Sequence, residues 1–330
     1  MYRSKFLNAY YFFKPVIPRR LQILLRRRIV SRKLSLCRDI WPIDEESSRQ
    51  PRGWPGWPGK RKFSLVLTHD VDTARGQARC RPLMELEKEL GFRSSFNFVP
   101  ERYPVSPQLR FLLAKNGFEI GVHGLYHDGK YFRSREIFEK RAIRINAYLE
   151  KWQSVGFRSP SMLHNLEWMH LLNIEYDSST FDTDPFEPQP QGVRSIFPLW
   201  IPGSAYPHGF VELPYTLPQD FTLFVIMKEK GIDIWKRKLD WIAKHGGMAL
   251  LNTHPDYIHF EGKRQGAEEY PVDYYRYFLE YIKAVYEDSY WHVLPREMAR
   301  FWSEYLQKNS LLENTTGLSD STMSVVAGLE

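Results

Sequence analysis

The chain has 330 residues, of which 43% are hydrophobic and 26% are charged, so it can bury a large core as one big domain or two ordinary ones. Its two cysteines, Cys37 and Cys80, imply neither a disulfide framework nor a thiolate zinc site. No apolar run reaches about eighteen residues, so no transmembrane helix is expected.

The net charge of +7 is concentrated at the N-terminus, because residues 1–34 contain ten Lys and Arg residues and no acidic residue. The rest of the chain is nearly balanced, which argues against a nucleic-acid-binding face on the main body. Within this arm, Leu21, Leu24 and Leu25 recur at helical spacing among arginines. Two interpretations stay open: a helix that lies on an anionic membrane surface or an acidic partner, and an extension that packs on the main body.

The apolar pieces of the arm are interrupted by Lys14, Arg19 and Arg20, and no small-residue cleavage site follows them. We therefore expect no signal peptide. The low cysteine count also fits a reducing compartment. The expected location is the cytoplasm, with the protein either free or peripheral on the inner membrane surface through the arm.

Composition divides the chain into three parts. Residues 42–60 are rich in Pro, Gly and Trp, which is typical of a linker or a wrapping loop. Residues 1–58 are therefore predicted to form a basic extension with a linker, and residues 59–308 a catalytic domain. The Ser, Thr, Gly and Asn of residues 309–330 predict a flexible, disordered tail.

From residue 63 onward, short apolar runs typical of strands alternate with helical patterns. Predicted extended segments cover residues 63–68, 94–99, 119–123, 154–157, 174–177, 195–201, 210–215 and 248–253. Predicted helices cover residues 83–90, 107–116, 133–152, 166–172, 233–245, 270–286 and 295–307. Residues 180–222 hold eight prolines, which favours a functional loop or rim. The alternation predicts parallel strands closed into a barrel, with an open doubly wound sheet as the alternative.

Polar clusters follow two of the apolar runs, where parallel barrels carry their chemistry. Asp70 and Asp72 end the first run, and alternate residues of a strand face the same way. His123 and His127 follow a later run. One carboxylate and two imidazoles are the open ligand set of a hydrolytic divalent metal, which would leave Asp70 free. The plainer alternatives are a solvated turn and a pair of ordinary polar histidines.

Two further residues lie at strand ends. Arg158 could hold a carboxylate in one rotamer and keep it ionised, although an ordinary surface arginine explains it equally well. His254 could protonate a leaving amine, or could be a structural histidine in the turn before Pro255. Four polar clusters at four strand ends in one orientation favour an active site.

Over residues 63–260 the sequence resembles the polysaccharide deacetylase family, carbohydrate esterase family 4 with the NodB-homology domain. The ordered segments that carry the resemblance are 68–72 (Thr-His-Asp-Val-Asp), 123–127 (His-Gly-Leu-Tyr-His), 156–160 (Gly-Phe-Arg-Ser-Pro), 176–179 (Tyr-Asp-Ser-Ser) and 251–254 (Leu-Asn-Thr-His). The Asp-Val-Asp sequence resembles a sub-branch whose second acid is displaced by one residue. Gly124 stands where the family has a hydroxyl residue.

The resemblance implies an α/β fold, a distorted (β/α)7-type barrel. It also implies a divalent metal, Zn²⁺ first and Co²⁺, Ni²⁺ or Mn²⁺ as alternatives. The implied metal ligands are Asp72, His123 and His127. The implied catalytic residues are Asp70 as general base, Arg158 as its orienting partner and His254 as general acid. The substrate-binding residues predicted with them are Pro160, Tyr126 and Asp177.

The implied activity is hydrolysis of the N-acetyl group of an amino sugar. The expected substrate is a glycan or a lipid-linked glycan intermediate of exopolysaccharide or cell-envelope synthesis. Two alternatives remain at this point. The same fold could act on a non-sugar amide, a ureide or a formyl group, or it could be a non-catalytic glycan-binding barrel.

Overall fold

A computed structural model describes residues 17–203, 209–260 and 265–316, with side chains described up to residue 307. Residues 1–16 of the basic arm and residues 317–330 of the predicted tail lie outside this description. Among the described helices, none combines the length and the apolar character needed to span a bilayer.

The centre of the fold is a nine-residue strand in which every residue is buried. The strands in chain order are β1 (Phe63–Val71), β2 (Ser95–Phe98), β3 (Glu119–Val122), β4 (Gly156–Phe157), β5 (Tyr176–Asp177), β6 (Leu199–Ile201), β7 (Phe210–Glu212), β8 (Met248–Thr253), β9 (Ile258–His259), β10 (Tyr270–Pro271) and β11 (Tyr290–His292). Burial on both faces is typical of parallel strands covered by helices.

The sheet runs in parallel from β8 through β1, β2, β3, β4 and β5 to β7, and β6 adds an antiparallel edge. Beyond β7, a parallel bridge between Leu217 and Leu251 leads back to β8. This curled circuit confirms the predicted distorted (β/α)7-type barrel and excludes the open doubly wound sheet. The parallel strands of this sheet therefore direct their carboxyl ends to one mouth.

Helices surround the barrel. The α-helices in chain order are α1 (Arg19–Leu36), α2 (Ala74–Leu90), α3 (Pro107–Lys115), α4 (Arg135–Trp152), α5 (Leu166–Met169), α6 (Asp233–His245), α7 (Val272–Tyr286) and α8 (Pro295–Thr316). A π-helix covers Phe221–Met227. Side-chain oxygens begin several helices; the Thr73 hydroxyl, for example, accepts hydrogen bonds from the backbone N–H groups of Arg75 and Gly76.

The largest differences from the predicted helix boundaries are at the start of α2 and the end of α8. Helix α2 begins at Ala74 rather than at residue 83, because the Thr73 cap starts the helix and Pro82 is accommodated inside it. Helix α8 continues to Thr316 rather than ending at residue 307, and the flexible tail stays a prediction.

The Trp-rich segment that precedes β1 packs on the barrel. The Trp54 and Trp57 rings contact each other at 4.7 Å between centroids, and both contact Phe197 and Trp302. The Trp57 indole N–H also donates to the carbonyl of Gly246 at 2.8 Å. This segment therefore wraps around the barrel as an integral layer, and the domain boundary near residue 58 stays a prediction.

Candidate active site

The predicted metal ligands and catalytic groups meet at the mouth of the barrel. Asp70 lies in β1 near its carboxyl end, and His123, Arg158 and His254 each directly follow a parallel strand. Asp72 is the first residue after β1. The carboxyl ends of the parallel strands thus bring these side chains to one place, as the sequence predicted.

Asp72, His123 and His127 form the one described group of residues with metal-ligand donors in mutual reach, all within 4.8 Å. The Asp72 Oδ1 atom lies 3.4 Å from His123 Nε2 and 3.3 Å from His127 Nε2. That oxygen is buried and has no hydrogen-bond partner among the described residues. A buried anionic oxygen that faces two imidazole nitrogens fits a cation, and this donor set suits zinc.

The histidine protonation states agree with a ligand role. His123 Nδ1 lies 3.1 Å from the backbone carbonyl of Arg158, which can only accept, so Nδ1 carries the hydrogen. The Nε2 atom then faces Asp72, as in metal sites whose histidines are oriented by an outer carbonyl. Burial lowers the pKa of His127, which favours the neutral imidazole that a metal requires. Burial would raise the pKa of Asp72, but His127 and His123 bring it well below its usual range.

A second carboxylate, Asp256, positions the Asp72 backbone. Its Oδ2 accepts the Asp72 N–H at 2.9 Å, and its Oδ1 accepts the Thr73 hydroxyl. Helix α2 must leave room for this group, because a Cβ on Gly76 would lie 2.1 Å from Asp256 Oδ2. No contact of Asp256 was predicted from the sequence, because it lies 184 residues from Asp72 along the chain.

Gly124, between His123 and His127, is required by geometry. Its φ of +65° is a left-handed conformation, and a Cβ there would lie 2.6 Å from Pro160 Cδ and 2.8 Å from the Tyr131 hydroxyl. The same hydroxyl accepts the backbone N–H of Tyr126 at 2.8 Å. The loop between His123 and His127 is thus held by the Tyr131 hydroxyl.

Asp70 is almost completely buried and is held on both oxygens. Asn97 and Asn252 donate to Oδ1 and Oδ2 at 2.9 and 2.8 Å, and Arg158 Nη1 lies 3.2 Å from Oδ1. Burial would raise the pKa of Asp70, but the charges of His123, Arg158 and His254 lower it to about 2. The carboxylate is therefore ionised and fixed in one rotamer.

Arg158 is itself fully satisfied inside the barrel. Its Nε and Nη2 donate to the carbonyl and the hydroxyl of Ser178 at 2.7 and 2.6 Å, and its Nη1 also donates to Thr68 and Asn252. A buried guanidinium needs such a complete set of acceptors. The surface-arginine alternative is wrong, since Arg158 is 1% exposed.

His254 is paired with Asp220, a residue that the sequence analysis did not single out. The Asp220 Oδ1 atom lies 2.7 Å from His254 Nδ1, and Oδ2 accepts the His254 backbone N–H and the Tyr270 hydroxyl. Burial would lower the pKa of His254, but Asp220 chiefly raises it to about 10. His254 is therefore an imidazolium at neutral pH. The only sequence signal for Asp220 was its place in the proline-rich rim.

The three predicted substrate-binding residues have different surroundings. Pro160 is buried against Gly124. Tyr126 is half-buried, and its hydroxyl accepts from Arg144 Nη1 at 2.6 Å. Asp177 has no exposed surface, and it accepts both the N–H and the hydroxyl of Ser179. Asp177 thus holds Ser179, whose hydroxyl in turn accepts the backbone N–H of Ser159 at 2.8 Å, and the substrate contacts of all three residues stay predictions.

Comparisons with known proteins support the fold. No protein-family model matches the sequence, and no curated protein matches it. A solved structure from Mycobacterium smegmatis, assigned as a polysaccharide deacetylase, is 19% identical, with 76% of this chain and 94% of that chain covered and a TM-score of 0.59. One from Pseudomonas aeruginosa PAO1, assigned in the same way, is 15% identical with coverages of 77% and 95% and a TM-score of 0.57.

The Puue allantoinase is also similar, with 15% identity, coverages of 76% and 94%, and a TM-score of 0.57. The chain therefore has the fold of polysaccharide deacetylases, as the sequence motifs implied. At such low identity these similarities establish the fold, and the chemistry has to be argued from the site.

We predict that Gly124→Ala lowers the free energy of unfolding by about 2–4 kcal/mol. The added Cβ would strain the left-handed backbone and would also clash with Pro160. Urea denaturation followed by circular dichroism measures this change. Gly231→Ala is the matched control: a Cβ there meets nothing within 4 Å, so its effect should stay within about 0.5 kcal/mol. Equal stability of the two variants would contradict the packing described at Gly124.

Proposed function

We propose that the protein is a metal-dependent deacetylase that hydrolyses the N-acetyl group of an amino sugar in a glycan. The observation that carries this proposal is the arrangement at the mouth. An Asp-His-His donor set lies beside an ionised carboxylate, Asp70, and a cationic histidine, His254. Hydrolysis of an amide needs a group that takes a proton from water and a group that gives one to the leaving nitrogen.

Asp72, His123 and His127 would hold the cation, and Zn²⁺ suits their two nitrogens and one oxygen best. A divalent cation at such a site polarises a carbonyl and lowers the pKa of water. Asp70 accepts the proton of the attacking water. Arg158, Asn97 and Asn252 hold the Asp70 carboxylate in place for that transfer.

His254 supplies the second proton. Its Nδ1 is bound to Asp220, which leaves the proton on Nε2 for the nitrogen of the departing amine. The products are acetate and a free amino sugar. The intact set of ligands, base and acid argues against the non-catalytic glycan-binding alternative.

The substrate that we propose is an N-acetylated glycan or glycolipid intermediate of exopolysaccharide or cell-envelope synthesis. Two structurally similar proteins are described as polysaccharide deacetylases, which supports a sugar substrate. The proposed location is the cytoplasm, at the inner membrane surface, where lipid-linked glycans are built. The basic residues of the arm support this location because the inner leaflet is anionic.

A second candidate is hydrolysis of a ureide or another non-sugar amide. The similarity to an allantoinase, at a TM-score of 0.57, favours it as the alternative. The catalytic groups described above would serve either substrate, because each contains a carbonyl carbon bound to nitrogen.

Product release from a substrate panel distinguishes the candidates. Purified full-length protein would be incubated with N-acetylated oligosaccharides and with allantoin, with added Zn²⁺ or with a chelator. We expect acetate from an N-acetylated glycan, and its release should stop when the metal is removed. Hydrolysis of allantoin without acetate release would favour the second candidate. Acetate release that ignores chelation would contradict the metal-dependent scheme.

We predict that Asp70→Asn lowers kcat/KM by about a thousandfold or more, because the amide cannot accept a proton from water. Zinc binding, measured by isothermal titration, should persist because Asp70 is not in the donor set. Asp273→Asn, on the exposed face of α7, is the matched control and should behave as wild type. Wild-type turnover by Asp70→Asn would refute the role of the base.

We predict that Asp220→Asn moves the alkaline limb of the kcat/KM profile to lower pH. The Asp220 charge raises the pKa of His254, so its removal lowers that pKa and the acid loses its proton earlier as the pH rises. Tyr270→Phe removes only a neutral hydrogen bond to Asp220 and should shift the limb less. An unchanged alkaline limb in Asp220→Asn would show that His254 is not the acid.

A further inference from the structure

Helix α1 presents an apolar and basic surface to solvent, which we call the outer face of α1. Its members are Arg20, Leu21, Leu24, Leu25, Arg28, Ile29, Arg32 and Leu36. Leu36 is 84% exposed, and the other leucines and the isoleucine are 40–53% exposed. Residues 19–38 contain no acidic residue, so nothing on this helix offsets the arginines.

The outer face is unusual within the described part of the chain. The other large hydrophobic residues that are exposed there are Ile40, Phe111, Ile143, Trp200, Tyr277 and Val285. Apart from Ile40, which follows α1 closely, they are scattered over four other elements. Single exposed hydrophobic residues need no explanation, whereas a cluster on one helix marks an interaction surface.

The inner side of the same helix is firmly bound to the barrel. Ile23 and Val30 are buried, and Arg27 Nη2 donates to the carbonyl of Val225 at 2.9 Å. Lys33 Nζ donates to the carbonyl of Pro185 at 3.1 Å. The prediction that the arm packs on the main body is therefore correct for α1, and the packing fixes the direction in which its outer face points.

The mixture of apolar and basic side chains on the outer face of α1 indicates what kind of partner it binds. We propose that the outer face of α1 docks on an anionic lipid bilayer. The leucines and the isoleucine would enter the interface between head groups and acyl chains, while the arginines would reach the lipid phosphates along their aliphatic stems.

Other partners fit less well. A nucleic acid would bind the arginines but would leave the leucines without a partner. A twofold contact with a second copy would bring Arg20, Arg28 and Arg32 of both copies together, with no acid on α1 to offset them.

The N-terminal end of the docking helix lies beside the catalytic mouth. At the start of α1, Arg19 Nη2 lies 3.4 Å from the Tyr257 hydroxyl, and the Tyr257 ring lies 5.4 Å from that of His254. This inference rests on the proposed deacetylase function. Together they indicate the substrate class, which is an N-acetylated sugar carried on a lipid of that membrane.

The test is co-sedimentation of the full-length protein with vesicles of phosphatidylcholine, alone or mixed with phosphatidylglycerol. We expect binding to the mixed vesicles that weakens as salt is added. The double variants Leu24→Ser/Ile29→Ser and Arg28→Gln/Arg32→Gln should each lower the partition coefficient about tenfold or more. Phe111→Ser/Ile143→Ser, which removes exposed hydrophobic residues from α3 and α4, is the control and should bind as wild type.

Equal vesicle binding by wild type and both outer-face variants would overturn the proposal. So would a dimer in light scattering that these variants dissociate, since a second copy would then cover the face. The variants should hydrolyse a soluble N-acetylated substrate normally and lose activity only on a lipid-anchored one in vesicles. Vesicle binding without hydrolysis of any N-acetylated substrate would refute the proposed function and leave the docking surface in place.

Discussion

Two carboxylates two residues apart, Asp70 and Asp72, lie at the end of the central strand. Both are buried, so the surrounding protein groups must compensate their negative charges in place of water. Burial alone would protonate them. The structure instead surrounds them with Arg158, His123 and His254 and holds the Asp70 carboxylate with two amide donors. The two acids therefore have different roles. Asp70 accepts hydrogen bonds on both oxygens, whereas Asp72 Oδ1 has no hydrogen-bond donor among the described residues and faces the two imidazole nitrogens.

The sheet order explains how this surrounding is achieved. Strands β2 and β8 flank β1, and each contributes one asparagine to a different oxygen of Asp70. Asn97 is directly opposite Asp70 in the register, and Asn252 is opposite Thr68. Strand β4 brings Arg158 across the interior of the barrel. A register shift of one residue would turn these side chains to the other face of the sheet, so barrel closure and the site depend on each other.

The sequence predicted the barrel and the clustered groups because their signals are local. Two acids and two histidines each follow an apolar run at fixed spacing, and parallel strands bring such ends together. Asp220 was missed because it follows no periodic segment and pairs with a residue 34 positions away. Asn97 resembled an ordinary polar residue within a strand. The start of α2 at Ala74 was not predicted because a proline, here Pro82, usually ends a helix.

The most direct test of the account is zinc K-edge X-ray absorption on the full-length protein loaded with one equivalent of Zn²⁺. We expect a nitrogen and oxygen shell at about 2.0–2.1 Å with the outer scattering of two imidazoles, from His123 and His127. His127→Gln should reduce this to one imidazole. A sulfur shell near about 2.3 Å, or imidazole scattering that His127→Gln leaves unchanged, would contradict the central claim that Asp72 and these histidines hold the metal.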